Sequence, residues 1–334
     1  MKGKHTNKEI MEQGAAWSQV LELERELPDT QGPVVFFGAG VALGASETLI
    51  WGVREILGRP AYAISSQDVF LNQQIIPSLG AGLFVSISRT GEVTDNILAA
   101  KAIKSAVKDT KMITVIGEHA GGLGPVCDEV VELGILEESI ATTKTISSMI
   151  LATQVMMHNT ASKDCKKTLG KLPGLLEKAM PKYKDTIDQV AKEEFDQIVV
   201  LGTGPLLGMA QVGALAMLEM SVEPVFPYQT LVYLHGPRVN ISAHRTLIIG
   251  FVSSKGKAEE LKALEEMRSN GATVIAIGDD LGDIPHMLTI DLASGLSDVD
   301  RAVLYLPFTQ LLGVERSLHR GYNPDAPPNL PKVF

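Results

Sequence analysis

The segment Ser86-Ile87-Ser88-Arg89-Thr90-Gly91-Glu92-Val93-Thr94-Asp95 holds the residues whose types and spacing best suit chemistry. It follows an apolar run and opens a helix, so hydroxyls and backbone N–H groups converge at a helix N-terminus. There the helix dipole and the unpaired amide donors favour a phosphate. Ser and Thr are also good helix caps, but a single cap does not need Ser, Ser, Arg and Thr within five residues. Ser88, Arg89, Thr90 and Gly91 are therefore the expected phosphate-binding turn, with Arg89 able to add a charge-assisted bond. A second glycine-rich turn, Gly38-Ala39-Gly40-Val41-Ala42-Leu43-Gly44, invites comparison with dinucleotide-binding loops. Those need an acid at the end of the next strand to hold a ribose. Here that strand, Ala61 to Ile64, ends in Ser65-Ser66-Gln67, so a nicotinamide cofactor is disfavoured. The turn at Gly40 either only redirects the chain or brings its amides close to a small substrate.

Acid–base candidates lie in the second half. The stretch Met209 to Leu218 is apolar on almost every face, so a helix there is buried. A carboxylate at its end, Glu219, would be desolvated and its pKa raised, fitting it to exchange protons near neutral pH. The plainer alternative is a helix-end Glu reaching solvent beside Ser221 and Glu223. The seven histidines show no HxxxH or HxH spacing, so no metal site is expected. His235 precedes Gly236-Pro237 in a loop, where a lone histidine is ordinarily a surface residue. Lys332 stands two residues from the C-terminal Phe334, where a side chain is ordinarily disordered.

The elements that must position these groups can be read from apolar runs alternating with helical stretches. Residues 7 to 26 have helical periodicity, anchored by Ile10, Trp17, Val20 and Leu21. Short strands are expected at 34–37, 61–64, 82–88, 112–116 and 129–133, with helices over 42–57 and from Asn96 to Val107. The order then returns, with strands at 198–201, 247–252 and 272–277, an apolar helix to about Met220 and another to Arg268. Gly38 pairs with Gly202, Gly91 with Gly256 and Gly117 with Gly278, at offsets of 161 to 165 residues. A nearly constant offset at three strand-to-turn junctions indicates an internal duplication of one α/β unit. Buried runs of this kind imply parallel sheets covered on both faces.

The expected layout is a helical lead-in over 1–30, a first phosphate-binding domain over 31–160 and a helical connector over 161–195. A second domain would span 196–320, followed by a tail over 321–334. That tail is rich in prolines, so it is neither helix nor central strand.

Bulk properties exclude several classes. With 334 residues, 45 % apolar and 21 % charged, the chain is an ordinary globular protein long enough for two cores. A net charge of −9 argues against nucleic-acid binding, which needs a basic surface. The two cysteines, Cys127 and Cys165, suggest no disulfide framework and a reducing cytoplasm. The N-terminus lacks the apolar core of a signal peptide, and no apolar run is long enough to span a membrane.

At Ser88-Arg89-Thr90-Gly91-Glu92 the chain resembles the serine-rich phosphate loop of sugar isomerase (SIS) domains. Such domains occur in the isomerase half of glucosamine-6-phosphate synthase and in AgaS-type tagatose/galactosamine-6-phosphate proteins. The resemblance extends over nearly the whole chain. Thr6 to Gln13 is similar to the helix leading into such domains, and Ser139-Ile140-Ala141-Thr142-Thr143-Lys144 to their second substrate loop. Gly213 to Glu219 and His235-Gly236-Pro237 are similar to two signatures of the second domain. The resemblance implies two tandem flavodoxin-like, three-layer α/β domains with parallel sheets. It also implies substrate contacts at Thr142 and Thr143, and proton transfer between C1 and C2 of an opened sugar by Glu219. Ring opening falls to His235, acting in a neighbouring chain's site and so requiring at least a homodimer. Asn329-Leu330-Pro331-Lys332 resembles the tail that folds over the sugar, placing Lys332 at the open-chain carbonyl.

Departures from the family bear on the substrate. Val41 and Ala42 stand where Thr and Ser are usual, and Val93 replaces a hydroxyl residue. Arg89 replaces the synthase's uncharged amide, as it does in the AgaS-type proteins. The resulting expectation is an aldose–ketose isomerase of a 6-phosphorylated sugar that carries an amine: a deaminating isomerase or a fructosamine-6-phosphate deglycase. It needs no cofactor, because an enediol requires only acid–base groups. The alternative is a non-catalytic sugar-phosphate sensor, although no basic helix-turn-helix segment accompanies the SIS-like halves.

Overall fold

The computed structural model describes residues 2–332. Each half of the chain builds one parallel five-stranded sheet. The first contains β1 (Val34–Gly38), β2 (Ala61–Ser65), β3 (Leu83–Ser88), β4 (Lys111–Ile116) and β5 (Glu129–Glu132), in the order β2-β1-β3-β4-β5. The second contains β6 (Gln197–Gly202), β7 (Val225–Gln229), β8 (Thr246–Phe251), β9 (Thr273–Gly278) and β10 (Leu288–Asp291), in the order β10-β9-β8-β6-β7. The two orders are the same 2-1-3-4-5 arrangement, the flavodoxin-like one. Successive side chains of a strand face opposite sides. Val34 and Phe36 accordingly join a central core shared by both halves, while Val35 and Phe37 join an outer core of the first. A corresponding outer core of the second half contains Val199, Leu201 and Ile248.

The halves meet through the helices Val41–Ile56 and Pro205–Ser221, which follow the first strand of each sheet. Gly44 and Gly208 make the close approach possible. A Cβ on Gly208 would lie 2.3 Å from the Gly44 carbonyl oxygen, and one on Gly44 would lie 3.1 Å from that of Gly208. Thr48 Oγ1 donates to the Pro205 carbonyl at 2.7 Å across the same contact. This packing brings the end of the second-half helix, with Glu219, to the turns of the first sheet.

Several expectations need correction. The helical lead-in is two helices, Lys4–Met11 and Gln13–Val20, and not one running to residue 26. Beyond Val20 the chain leaves the helix because tertiary bonds compete: Asn159 Nδ2 donates to the Leu23 and Arg25 carbonyls, and Leu27 N–H donates to Thr160 Oγ1. Strand β7 is an addition to the sequence reading. Pro227 argues against a central strand, but β7 lies at the sheet edge, where a missing N–H is tolerated. Strand β10 and the helices Lys144–Thr160 and Leu306–His319 are also additions. The connector contains the helix Leu172–Ala191, which crosses Pro181 and packs on Leu306–His319.

The tail after Arg320 is irregular, with residues 333 and 334 outside the described residues. It is tied to the other end of the chain. Asn323 Oδ1 accepts from Gly3 N–H, and Asp325 Oδ1 accepts from Thr6 N–H and Thr6 Oγ1 at 2.8 and 2.7 Å. Among the described residues no helix is long and apolar enough to cross a membrane.

Candidate active site

In an open parallel sheet, ligands bind outside the carboxyl ends of the strands, where neighbouring crossovers leave in opposite directions. For the order β2-β1-β3 that point lies between β1 and β3. A cavity of about 460 Å³ opens there. Ala39 to Ala42 line it from the turn after β1, Gln67 from beyond β2, and Ser88 to Thr90 from the turn after β3. Val93 to Asn96, from the next helix, complete that wall.

The β3 turn is preformed. Ser88 is almost fully buried, and its Oγ accepts from Gly91 N–H at 3.0 Å. Gly91 has φ 68, and a Cβ there would meet the Ala120 carbonyl oxygen at 2.3 Å, so no larger residue fits. The helix Thr94–Ala106 then starts at Val93, whose side chain cannot cap it. Neither Ser88 nor Thr90 acts as that cap: Thr90 Oγ1 accepts from Glu92 N–H at 3.2 Å, inside the turn. The helix start therefore faces the cavity without a capping side chain, an arrangement suited to an anion.

Glu219 reaches the same cavity from the second half. Burial pushes its carboxyl up to about 7, partly opposed by the positive charge of Arg89. Such a group exchanges protons readily near neutrality.

Arg89 is more deeply engaged than a lone phosphate ligand would be. Its Nη1 donates to the Ser139 and Ile140 carbonyls at 3.1 and 2.9 Å. Its Nη2 donates to the Lys332 carbonyl at 2.7 Å. The guanidinium also lies 3.8 Å from Glu137 Oε2. Glu137 is buried, and desolvation raises its pKa against the opposing pull of the Thr145 amide, Arg89 and the Thr143 hydroxyl. Its Oε1 accepts from Thr143 N–H, Thr143 Oγ1 and Thr145 N–H at 2.8 to 2.9 Å. Thr142 lines the cavity, whereas Thr143 spends its hydroxyl on Glu137 and is not among the lining residues.

Leu330, Pro331 and Lys332 form part of the cavity wall. The Lys332 ammonium, however, donates to the Glu137 carbonyl and lies 3.4 Å from Glu118 Oε1. His235 is outside the cavity, exposed in the turn after the short helix Thr230–Tyr233, near the exposed Leu231, Val232 and Val239.

Gln67, Asp95 and Asn96 are polar lining residues not singled out from the sequence. Gln67 Nε2 donates to Asp95 Oδ2, and Ser66 Oγ donates to Asn96 Oδ1. The available signal was positional: Gln67 follows a strand end, and Asp95 and Asn96 open the helix after the phosphate turn. Among the described residues no group of three His, Cys, Asp or Glu is placed to hold a metal ion.

The SIS domain family model matches residues 193–284. The glutamine–fructose-6-phosphate aminotransferase (isomerizing) of Methanothermobacter thermautotrophicus is 26 % identical over 97 % of this chain and 56 % of its own length. A similar aminotransferase of Pyrobaculum aerophilum is covered to 51 %, so the chain spans about half the length of these relatives. The AgaS protein of Streptomyces coelicolor, provisionally named a D-galactosamine-6-phosphate deaminase, is 24 % identical, covering 97 % of this chain and 91 % of that protein. Among solved structures, glucosamine-6-phosphate deaminase of Thermotoga maritima superposes with a TM-score of 0.82 at 27 % identity, covering 99 % of both chains. Tagatose-6-phosphate ketose/aldose isomerase of Escherichia coli, at 22 % identity, shares the fold with a TM-score of 0.82 over 98 % of this chain and 97 % of that one. The second half therefore carries a SIS domain over residues 193–284, and the first half repeats its strand order.

Proposed function

We propose that this protein is a phosphosugar isomerase acting on an amino-sugar 6-phosphate, with deamination as the outcome. The observation that carries this reading is Glu219, a carboxyl held near 7 in the same cavity as the β3 turn. The full-length similarity to a glucosamine-6-phosphate deaminase supports the choice of an amino sugar.

In this reading Ser88, Thr90 and the amides around Gly91 bind the phosphate. The turn at Gly40 and Thr142 contact the sugar. Glu219 removes the C2 proton of the open-chain 2-amino aldose and returns a proton to C1. The resulting 2-imine takes up water and releases ammonia, leaving the ketose 6-phosphate. This chemistry asks only for acid–base groups. His235 opens the ring in the site of a neighbouring copy, a role consistent with its exposure beside Leu231, Val232 and Val239.

The test is incubation with hexose, hexosamine and fructosamine 6-phosphates, following ammonia and ketose together. Ammonia and ketose in equal amounts from a hexosamine 6-phosphate are expected. Ketose without ammonia from a plain aldose phosphate identifies a simple isomerase, and turnover only of a fructosamine phosphate a deglycase. Binding without conversion over hours would instead support the sensor reading.

A further inference from the structure

The two halves neutralise their turn-side acids in different ways. Each half has an acid directly after the glycine that follows or ends its fourth sequential inner strand: Glu118 after Gly117, and Asp279 after Gly278. Each also sends an acid from the loop beyond its last strand, Glu137 in the first half and Asp298 in the second. In the second half one residue serves both. Arg301, only 1 % exposed, lies 2.9 Å from Asp279 through Nη1 and 2.6 Å from Asp298 through Nη2. That cation is built into the half it closes.

Among the described residues, no arginine of the first half bridges its two acids in this way. Glu137 faces Arg89 at 3.8 Å, and Glu118 faces Lys332 at 3.4 Å. Lys332 belongs to the tail, 195 residues along the chain from Glu137. It is held at both ends: Arg89 Nη2 donates to its carbonyl, and its ammonium donates to the carbonyl of Glu137. The same guanidinium holds the 139–140 peptides. Glu9 fixes this loop from behind, accepting from Glu138 N–H and Ser139 N–H at 2.6 and 3.2 Å.

We propose that Arg89 is a positioning residue that clasps the C-terminal tail: with Lys332 it forms a detachable counterpart of Arg301, closing the first half only while the tail is seated. A permanent buried pair would leave the cavity in one state. A cation carried on an irregular tail lets the wall formed by Leu330 to Lys332 leave and return. Arg89 then affects ligand affinity through the tail, beyond any direct bond to phosphate.

The consequence for ligand binding rests on the sugar-phosphate reading of the cavity, but the first measurement does not. Release of C-terminal residues by a carboxypeptidase, without ligand, should be about tenfold faster in Arg89→Gln and in Lys332→Ala than in the parent chain. Affinity for D-glucitol 6-phosphate, which has no carbonyl to isomerise, is then measured in both variants and their combination. If Arg89 acts through the tail, each variant weakens binding by about tenfold and the combination by little more. Unchanged tail release, or a combined loss of about a hundredfold, would overturn the clasp. Should Arg89→Gln not fold, Arg89→Lys carries the same expectation, because an ammonium cannot span the three carbonyls. Absence of binding in the parent chain, with tail release accelerated as expected, would count against the sugar-phosphate reading and leave the clasp standing.

Discussion

The turns after β3 and β8 share one backbone design and differ in what occupies them. Ser88 Oγ accepts from Gly91 N–H at 3.0 Å, and Ser253 Oγ accepts from Gly256 N–H at the same distance. The glycines that precede the interface helices also agree, Gly40 at φ 56, ψ −129 and Gly204 at φ 59, ψ −128. In the first half the turn opens on a cavity. In the second, Asp298 accepts from Ser254 N–H through both oxygens and from Ser254 Oγ, while Glu260 accepts from Ser253 N–H. A carboxylate thus takes the donors that an anionic ligand would otherwise use. A turn with anion-binding geometry becomes a site only where the surrounding side chains leave it open.

The largest test of this division concerns the residue that the second half contributes to the cavity. Glu219→Gln should lower turnover by roughly a thousandfold while sugar-phosphate binding persists. Turnover within a few-fold of the parent would break the division between a phosphate-holding half and a proton-moving half.

Next comes the filled turn. Asp298→Ala leaves Arg301 with one acid partner and Ser254 without its acceptor, and should cost roughly 3 kcal/mol of stability. KM should stay unchanged, because the second turn lies outside the cavity. A shifted KM with intact stability would mean that the second half also binds ligand.

A pH experiment sharpens the role of Glu219. Its folded carboxyl titrates near 7 instead of its ordinary 4.5, so the folded state binds the extra proton between those values. Stability associated with this group is therefore full below the lower value and is lost as pH rises through the upper one. Glu219→Gln escapes that loss. Relative to the parent, its stability should improve on the order of 2 kcal/mol between pH 5 and pH 8. Denaturant melts at the two pH values measure the difference; an equal gap at both would place the carboxylate in a better-solvated setting.

The smallest effect separates the matching serines. Ser88→Ala should raise KM several-fold, and Ser253→Ala should leave it alone, each losing about 1 kcal/mol of stability with its turn bond. Equal effects on KM would remove the distinction between open and filled turns.

Much of the architecture is legible locally. Strands such as Val34–Gly38 are buried on both faces and read as continuous apolar runs. Strand β7 hides because Pro227 argues against a strand until its edge position is known. Helix Lys144–Thr160 is nearly buried all round, so its apolar and small polar residues give no clear amphipathic stripe. The site divides similarly. Glu219 stands out as an acid closing an apolar helix, whereas Gln67 is exposed as a lining residue only by the meeting of three turns.

By itself the sequence determined the duplicated α/β plan, the serine–glycine turn and the apolar helix that carries Glu219, because each depends on residues close together in the chain. Only the tertiary structure decided what Arg89 does. Its carbonyl partners lie 50, 51 and 243 residues away, and no local pattern records them. The physical reason is that a guanidinium has several donors and takes the acceptors that folding brings within reach. That choice turns a residue expected to hold phosphate into one that also joins the turn, the second loop and the tail.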